Sequence, residues 1–210
     1  MKKHLPEFLA TFIVVFCGTG SIIINQISGG VIGHAGIATT FGLVIMAMVY
    51  AFPKAQFNPA VSLSLALFRM LGKVDAAKNI VFQVAGAFAA SALLKMLFPE
   101  AQTLGATVPS GTDMQSFVLE ILLMFFLILS ALKVGEYTKE IQAFTGVVVG
   151  GVVLLEAMFA GPISGASMNP ARSLAPAVLS GNMDSIWIYL TAPFIGSIAA
   201  FTIWKWLKKT

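Results

Sequence analysis

The chain has 210 residues, 58% of them hydrophobic and only 10% charged, and its mean hydropathy is +0.89. That composition excludes a soluble domain built around one large core and describes a protein whose solvent is the lipid bilayer. The formal charge of +4 is dispersed at membrane edges instead of gathering with stacking aromatics, which argues against nucleic acid, and the single Cys17 excludes an internal disulfide.

Six apolar stretches are long enough to cross a bilayer, near residues 5–27, 35–53, 76–98, 116–133, 141–160 and 185–207. The first opens with Glu7-Phe8-Leu9-Ala10-Thr11-Phe12 and lacks the small-residue cleavage site of a signal peptide, so it reads as a membrane helix. After the second comes Asn58-Pro59-Ala60, and after the fifth comes Asn169-Pro170-Ala171. Asn is a favoured N-cap and Pro suits the first helical position, so each triplet predicts a helix start. The helices, over 58–69 and 169–179, are half-length: at about 1.5 Å per residue they cover half of a core about 30 Å thick. Irregular backbone cannot face lipid, so two such segments must be covered by protein or line a wet cavity. A pore satisfies that requirement.

The two halves repeat. Glu120-Ile121-Leu122-Leu123-Met124-Phe125 in the fourth span echoes the start of the first, and the carboxylate-to-asparagine intervals are 51 residues (58 − 7) and 49 residues (169 − 120). With three spans per half, the second half enters the membrane from the opposite side. The expected fold is an all-α integral membrane protein, six transmembrane helices plus two re-entrant half-helices in an inverted 3+3 repeat. It forms one domain over 1–210, with repeats at about 1–98 and 116–210 and a linker at 99–115. Small residues such as Gly42, Gly86, Gly150 and Gly196 are expected at helix contacts.

Lys2, Lys3, Lys54, Arg69, Lys73, Lys78, Lys133, Lys139, Lys205, Lys208 and Lys209 sort to one side of this topology, and only Lys95 and Arg172 do not. Positive charge collects on the cytoplasmic side, so both termini are expected there. Trp204 and Trp206 look like interfacial anchors.

Each asparagine is expected to cap its helix through its oxygen and aim amide N–H groups into the lumen, where they compensate the dehydration of a passing hydroxyl and offer nothing to a cation. Converging helix N-termini add a positive potential that opposes protons and metal ions.

With Glu7, Glu120, the two triplets and the run from Gly161 to Ser173, the chain resembles the aquaporin or major intrinsic protein family over essentially its full length. The run is especially similar to nodulin-like intrinsic proteins of plants and their bacterial relatives, which conduct glycerol, water and uncharged metalloid acids to differing degrees. The resemblance implies an aquaporin-like fold, a homotetramer with one pore per subunit, and an aromatic/arginine filter formed by Phe41, Ala157, Ala166 and Arg172. It also implies that Glu7 and Glu120 accept hydrogen bonds from the re-entrant loops. Water-selective relatives usually carry His where this chain has Ala157, so the filter is expected to be wider and apolar on one wall. That favours glycerol-like polyols or neutral metalloid acids over water alone. Phe41, Ser173 and Ala177 lean towards strict water conduction, the alternative reading, and Tyr189 and Leu190 are equivocal. Several relatives carry Cys where this chain has Ala166, so no mercurial block is expected at the filter.

Two residues are candidate modulators. The segment 52–57 is shorter than the usual family loop, so Lys54 either narrows the adjoining mouth or is a plain surface lysine. Glu156 matches no family carboxylate and either braces the loop around Ser164 to Ser167 or touches the pore. Intramembrane glutamates also admit a proton-coupled transporter, and a purely structural membrane protein is the remaining alternative. No cofactor, metal site or catalysis is expected: His4 and His34 stand alone near span ends, and the chain carries no nucleophile–base set or phosphate-cradling loop. A bacterial inner membrane is the expected location from the compact chain.

Overall fold

The computed structural model describes residues 2–208. Lys209, counted above among the cytoplasmic-side charges, lies outside the described residues. After a 3-10 turn at Lys2–His4, the helices are α1 (Leu5–Ile27), α2 (Gly33–Ala51), α3 (Pro59–Leu67), α4 (Lys73–Leu97), α5 (Asp113–Val134), α6 (Lys139–Gln142), α7 (Thr145–Ser164), α8 (Pro170–Ser180) and α9 (Ile186–Leu207). Six of them, α1, α2, α4, α5, α7 and α9, are long and apolar enough to cross a membrane. The two remaining helices of more than one turn, α3 and α8, follow the Asn-Pro-Ala triplets.

Three boundaries differ from expectation. The half-helix α3 ends at Leu67 instead of Arg69, because Arg69 turns into the left-handed region at φ 61°. The linker is shorter by its last residues: Thr112 caps α5, its hydroxyl oxygen accepting from the Gln115 N–H at 3.2 Å, and the helix begins at Asp113 instead of 116. The fifth span, expected at 141–160, is displaced to Thr145–Ser164, with the start of the apolar run turned into the separate one-turn helix α6. Helix α7 runs through Pro162, which has no N–H for the carbonyl of Met158 one turn earlier. His34 Nε2 takes up that oxygen at 2.6 Å, so the break in the ladder leaves no orphaned acceptor.

The spans pack as α1 on α4, α5 on α9 and α2 on α7, with α3 and α8 against α4 and α9. Small residues set the closest crossings, as expected for helices that associate without a hydrophobic drive. A Cβ on Gly86 would stand 2.4 Å from the Phe8 carbonyl oxygen, and one on Gly196 would stand 2.2 Å from that of Ile121. A Cβ on Gly42 would meet Gly150 of α7 at 2.7 Å. Large apolar side chains such as Val81, Met96, Leu155 and Phe159 point outward; for a membrane protein that is the lipid-facing surface. Lys95, one of the two cations on the unexpected side, donates to the Leu179 carbonyl at the end of α8 at 2.7 Å.

Candidate pore and selectivity site

Each half-helix is held by a buried carboxylate. Glu7, 2% exposed, accepts from the N–H of Gln56 at 3.0 Å, the N–H of Phe57 at 2.8 Å and the Gln83 amide at 2.8 Å. Glu120, fully buried, accepts from the N–H of Ser167 at 2.9 Å, the N–H of Met168 at 2.8 Å and the Ser164 hydroxyl at 2.8 Å. Carboxylates this deep are tolerable only with such partners. Both loops need them, because the residue before each asparagine has positive φ, 40° at Phe57 and 52° at Met168, and gives its N–H to the carboxylate.

The asparagines behave as caps and as crosslinks. Asn58 Oδ1 accepts from the Ala60 N–H at 3.0 Å, and Asn169 Oδ1 from the N–H groups of Ala171 at 3.0 Å and Arg172 at 3.4 Å. Asn58 Nδ2 donates to the Met168 carbonyl at 2.8 Å, and Asn169 Nδ2 donates to the Phe57 carbonyl at 2.8 Å. One amide hydrogen of each is therefore committed to the opposite loop. The expectation that each amide offers both hydrogens to the lumen is corrected to one.

Both asparagines line a cavity of about 240 Å³ that extends past Val149, Val153 and Leu127 to Pro53 and Ala55. A second cavity, about 340 Å³, opens on the other side and is lined by His34, Thr103, Thr107 and Gly161 among others. Phe41, Ala166 and Arg172 line both, and Ala157 lines the second. All four residues named from the sequence as a filter thus line the second cavity, and three of them are shared with the first.

Arg172 is fixed in this junction. Its Nη1 donates to the Gly105 carbonyl at 2.8 Å, its Cζ lies 5.0 Å from the Phe41 ring centroid, and its Nε has no protein partner. Gly105, at φ 68°, approaches Thr19 of α1 so closely that a Cβ would stand 2.9 Å away, and this turn aims its carbonyl at the guanidinium. The Phe41 ring occupies space left by Gly18, where a Cβ would stand 2.3 Å from its Cε1. Ala166, at φ 41°, donates its N–H to the Ser164 hydroxyl oxygen at 3.1 Å.

The two candidate modulators fall away from the lumen. Lys54 is exposed and lines a third cavity, with Lys3, Asp75 and Asn79, that adjoins the first at Pro53, Ala55 and Gln56; Lys54 itself does not line the first. Glu156 is 1% exposed and lines neither pore cavity, and neither carboxylate oxygen has a hydrogen-bond partner among the described residues. No hydrogen bond thus ties it to the 164–167 loop, and it is not part of the lining of either cavity, one position along the helix from Ala157 being a rotation of about 100°. Sequence reading did not anticipate the part played by Gly105, Gly18 and Gln83. A lone glycine in an unstructured linker carries no pattern that points to an arginine dozens of residues later.

Six membrane-capable helices around two adjoining cavities, lined by four of those spans, the linker and the two asparagine loops, define a membrane channel for water and small neutral solutes. The family model described as Major intrinsic protein matches residues 1–204. Nodulin-26 of Glycine max is 35% identical over 214 residues, covering 100% of this chain and 79% of that protein. Aquaporin NIP1-1 of Oryza sativa subsp. japonica is 38% identical over 216 residues, covering 100% and 76%. The aquaglyceroporin from Plasmodium falciparum shares the fold, with a TM-score of 0.83 and 23% identity over 96% of this chain and 93% of that one. The chain belongs to the major intrinsic protein family.

Proposed function

We infer that this channel passes glycerol-like polyols or neutral metalloid acids as well as water, and that Phe41, Ala157, Ala166 and Arg172 form its selectivity filter. The observation that carries this reading is the junction itself: three of its walls are Phe41 and two alanines, and its one polar group is a buried arginine. A solute larger than water meets two methyl-sized walls and donors for its oxygen, while a cation meets a fixed positive charge. Asn58 and Asn169 then orient the solute, each with its one remaining amide hydrogen, and Glu7 and Glu120 hold the loops that carry them. Protons and ions are excluded by the arginine, the two donors and the converging helix ends. The matching bonds of Glu7 and Glu120, and of Asn58 and Asn169, support an inverted repeat of about 1–98 and 116–210 within one domain.

Family membership supports a homotetramer in the membrane, with no enzymatic activity of its own. The lumen is enclosed by a single chain, so each protomer would conduct independently. The distribution of Lys and Arg supports cytoplasmic termini; the bacterial inner membrane expected from the compact chain draws no support from the relatives, which are plant proteins.

Strict water conduction is the second reading, favoured by the Phe41 ring beside the guanidinium at 5.0 Å. Stopped-flow light scattering on proteoliposomes separates the two. Fast shrinkage in an impermeant osmolyte and fast re-swelling in glycerol or boric acid support the wide filter; fast shrinkage without re-swelling supports the water-only channel.

A further inference from the structure

Among the described residues, the second cavity holds a histidine that the filter and the asparagines do not use. His34 enters from the first turn of α2 and packs on the wall that carries Ala157: a Cβ on Gly161, one turn beyond Ala157, would stand 3.0 Å from His34 Cε1. Its orientation is fixed by proline chemistry. Pro162 cannot donate to the Met158 carbonyl, and His34 Nε2 sits 2.6 Å from that oxygen. A carbonyl oxygen only accepts, so Nε2 carries the proton and Nδ1 of the neutral ring is left with its lone pair. No hydrogen bond to Nδ1 forms among the described residues, and the ring is exposed to the vestibule.

The missing chemistry at the filter is an acceptor. Arg172 supplies donors only, and Phe41, Ala157 and Ala166 supply no polar side-chain group. From these four side chains a polyol or a neutral oxyacid can satisfy its oxygens and not its O–H hydrogens. Of the other polar side chains of the vestibule, Thr107 is buried and donates its hydroxyl to Ser173 at 2.8 Å, and the Gln26 amide oxygen already accepts from Thr103 at 3.4 Å, each of these oxygens keeping a second lone pair. We propose that His34 is a specificity-determining residue of this channel, its Nδ1 accepting from solute hydroxyl groups in the vestibule next to Arg172, on the side that Ala157 leaves apolar. Donor and acceptor together read a hydroxyl in both of its roles. This deepens the solute-conducting reading and rests on it.

The test uses the full chain in proteoliposomes, with glycerol re-swelling and osmotic water shrinkage measured on the same vesicles. His34→Phe keeps a ring of similar size and removes both nitrogens. His34→Gln keeps a donor for Met158 and an acceptor oxygen for the lumen. One lost hydrogen bond predicts that the glycerol-to-water permeability ratio falls by about three- to tenfold in His34→Phe, and by less than about twofold in His34→Gln. Pro162→Ala, which restores an N–H to compete for the Met158 carbonyl, is expected to lower the ratio part of the way by releasing the ring. Water shrinkage in each variant reports that the channel is folded and inserted. An unchanged ratio in His34→Phe, or an equal fall in Phe and Gln variants, overturns the proposal. A wild-type channel that shrinks vesicles fast and never re-swells them in glycerol overturns the solute-conducting reading itself, which a failure confined to the His34 variants does not.

Discussion

The loop before α3 and the loop before α8 run in register: Ala55, Phe57, Asn58, Pro59, Ala60 and Ser62 in one stand where Ala166, Met168, Asn169, Pro170, Ala171 and Ser173 stand in the other. Each puts the residue before asparagine at positive φ, gives that residue's N–H to a buried glutamate, and sends its asparagine amide across to the other loop. They part at the third residue after asparagine, which is Val61 in the first and Arg172 in the second. They also differ in what supports them. The first leans on side chains of α4, Gln83 to Glu7 and Asn79 to Gln56, and opens on a surface cavity. The second is roofed by the linker, where Gly105 holds Arg172, Thr107 holds Ser173 and the Ser110 N–H donates to the Ile163 carbonyl at 2.9 Å. The same backbone device thus carries two loops that differ in one respect: the frame is common to both, and a single charged residue with its own roof, Arg172, distinguishes the second, where the proposed filter lies.

The shared frame is most sharply tested at its carboxylates. Glu7→Ala and Glu120→Ala each remove the acceptor of three donors, most of them buried, and at about 1–3 kcal/mol per orphaned group both are expected to lose more than about 3 kcal/mol. The readout is thermal unfolding in detergent, or failure to accumulate in the membrane. A severe loss for one and a mild loss for the other would break the equivalence of the two loops.

The next largest effect concerns the asymmetric side. Gly18→Ala places a methyl inside the present position of Phe41, so the ring must move, and the free direction is toward Arg172 and the lumen. Glycerol flux is expected to fall about tenfold, with water flux falling less. Unchanged glycerol flux would mean that Phe41 does not limit the passage.

Smaller effects are expected at the caps. Asn58→Ala and Asn169→Ala each remove an N-cap, about 0.5–2 kcal/mol, and free a carbonyl of the opposite loop. Asn169→Ala is expected to cost slightly more, since its oxygen caps two N–H groups, and the difference is readable in paired melting curves. At the low end, Lys95→Met removes the cation that closes the C-terminus of α8 and is expected to cost about 0.3–1 kcal/mol, with no change in the glycerol-to-water ratio.

Much of this was legible in the sequence, for identifiable reasons. Asn-Pro-Ala encodes a cap and a first turn locally, so both half-helices start where the triplets put them. The spans were readable because twenty-odd apolar residues have few other uses. The four proposed filter residues came from the resemblance; all four line the second cavity, and Phe41, Ala166 and Arg172 also line the first. Tertiary closures were hidden. Pro162 reads as a stop signal until His34, 128 positions away in sequence (162 − 34), relieves the carbonyl that the proline strands. The roof over Arg172 depends on a left-handed glycine in a linker with no periodicity. Glu156 was visible as an anomaly; its side chain faces away from both cavities, and nothing in the structure accounts for a carboxylate there.

The central claim is that the alanine wall admits solutes larger than water, and Ala157→His addresses it most directly. In stopped-flow measurements on proteoliposomes, the wild-type channel is expected to support both osmotic shrinkage and glycerol re-swelling. The histidine variant is expected to keep the shrinkage and lose the re-swelling, because an imidazole fills the space beside Arg172. Glycerol re-swelling that persists at the wild-type rate in Ala157→His would contradict the account.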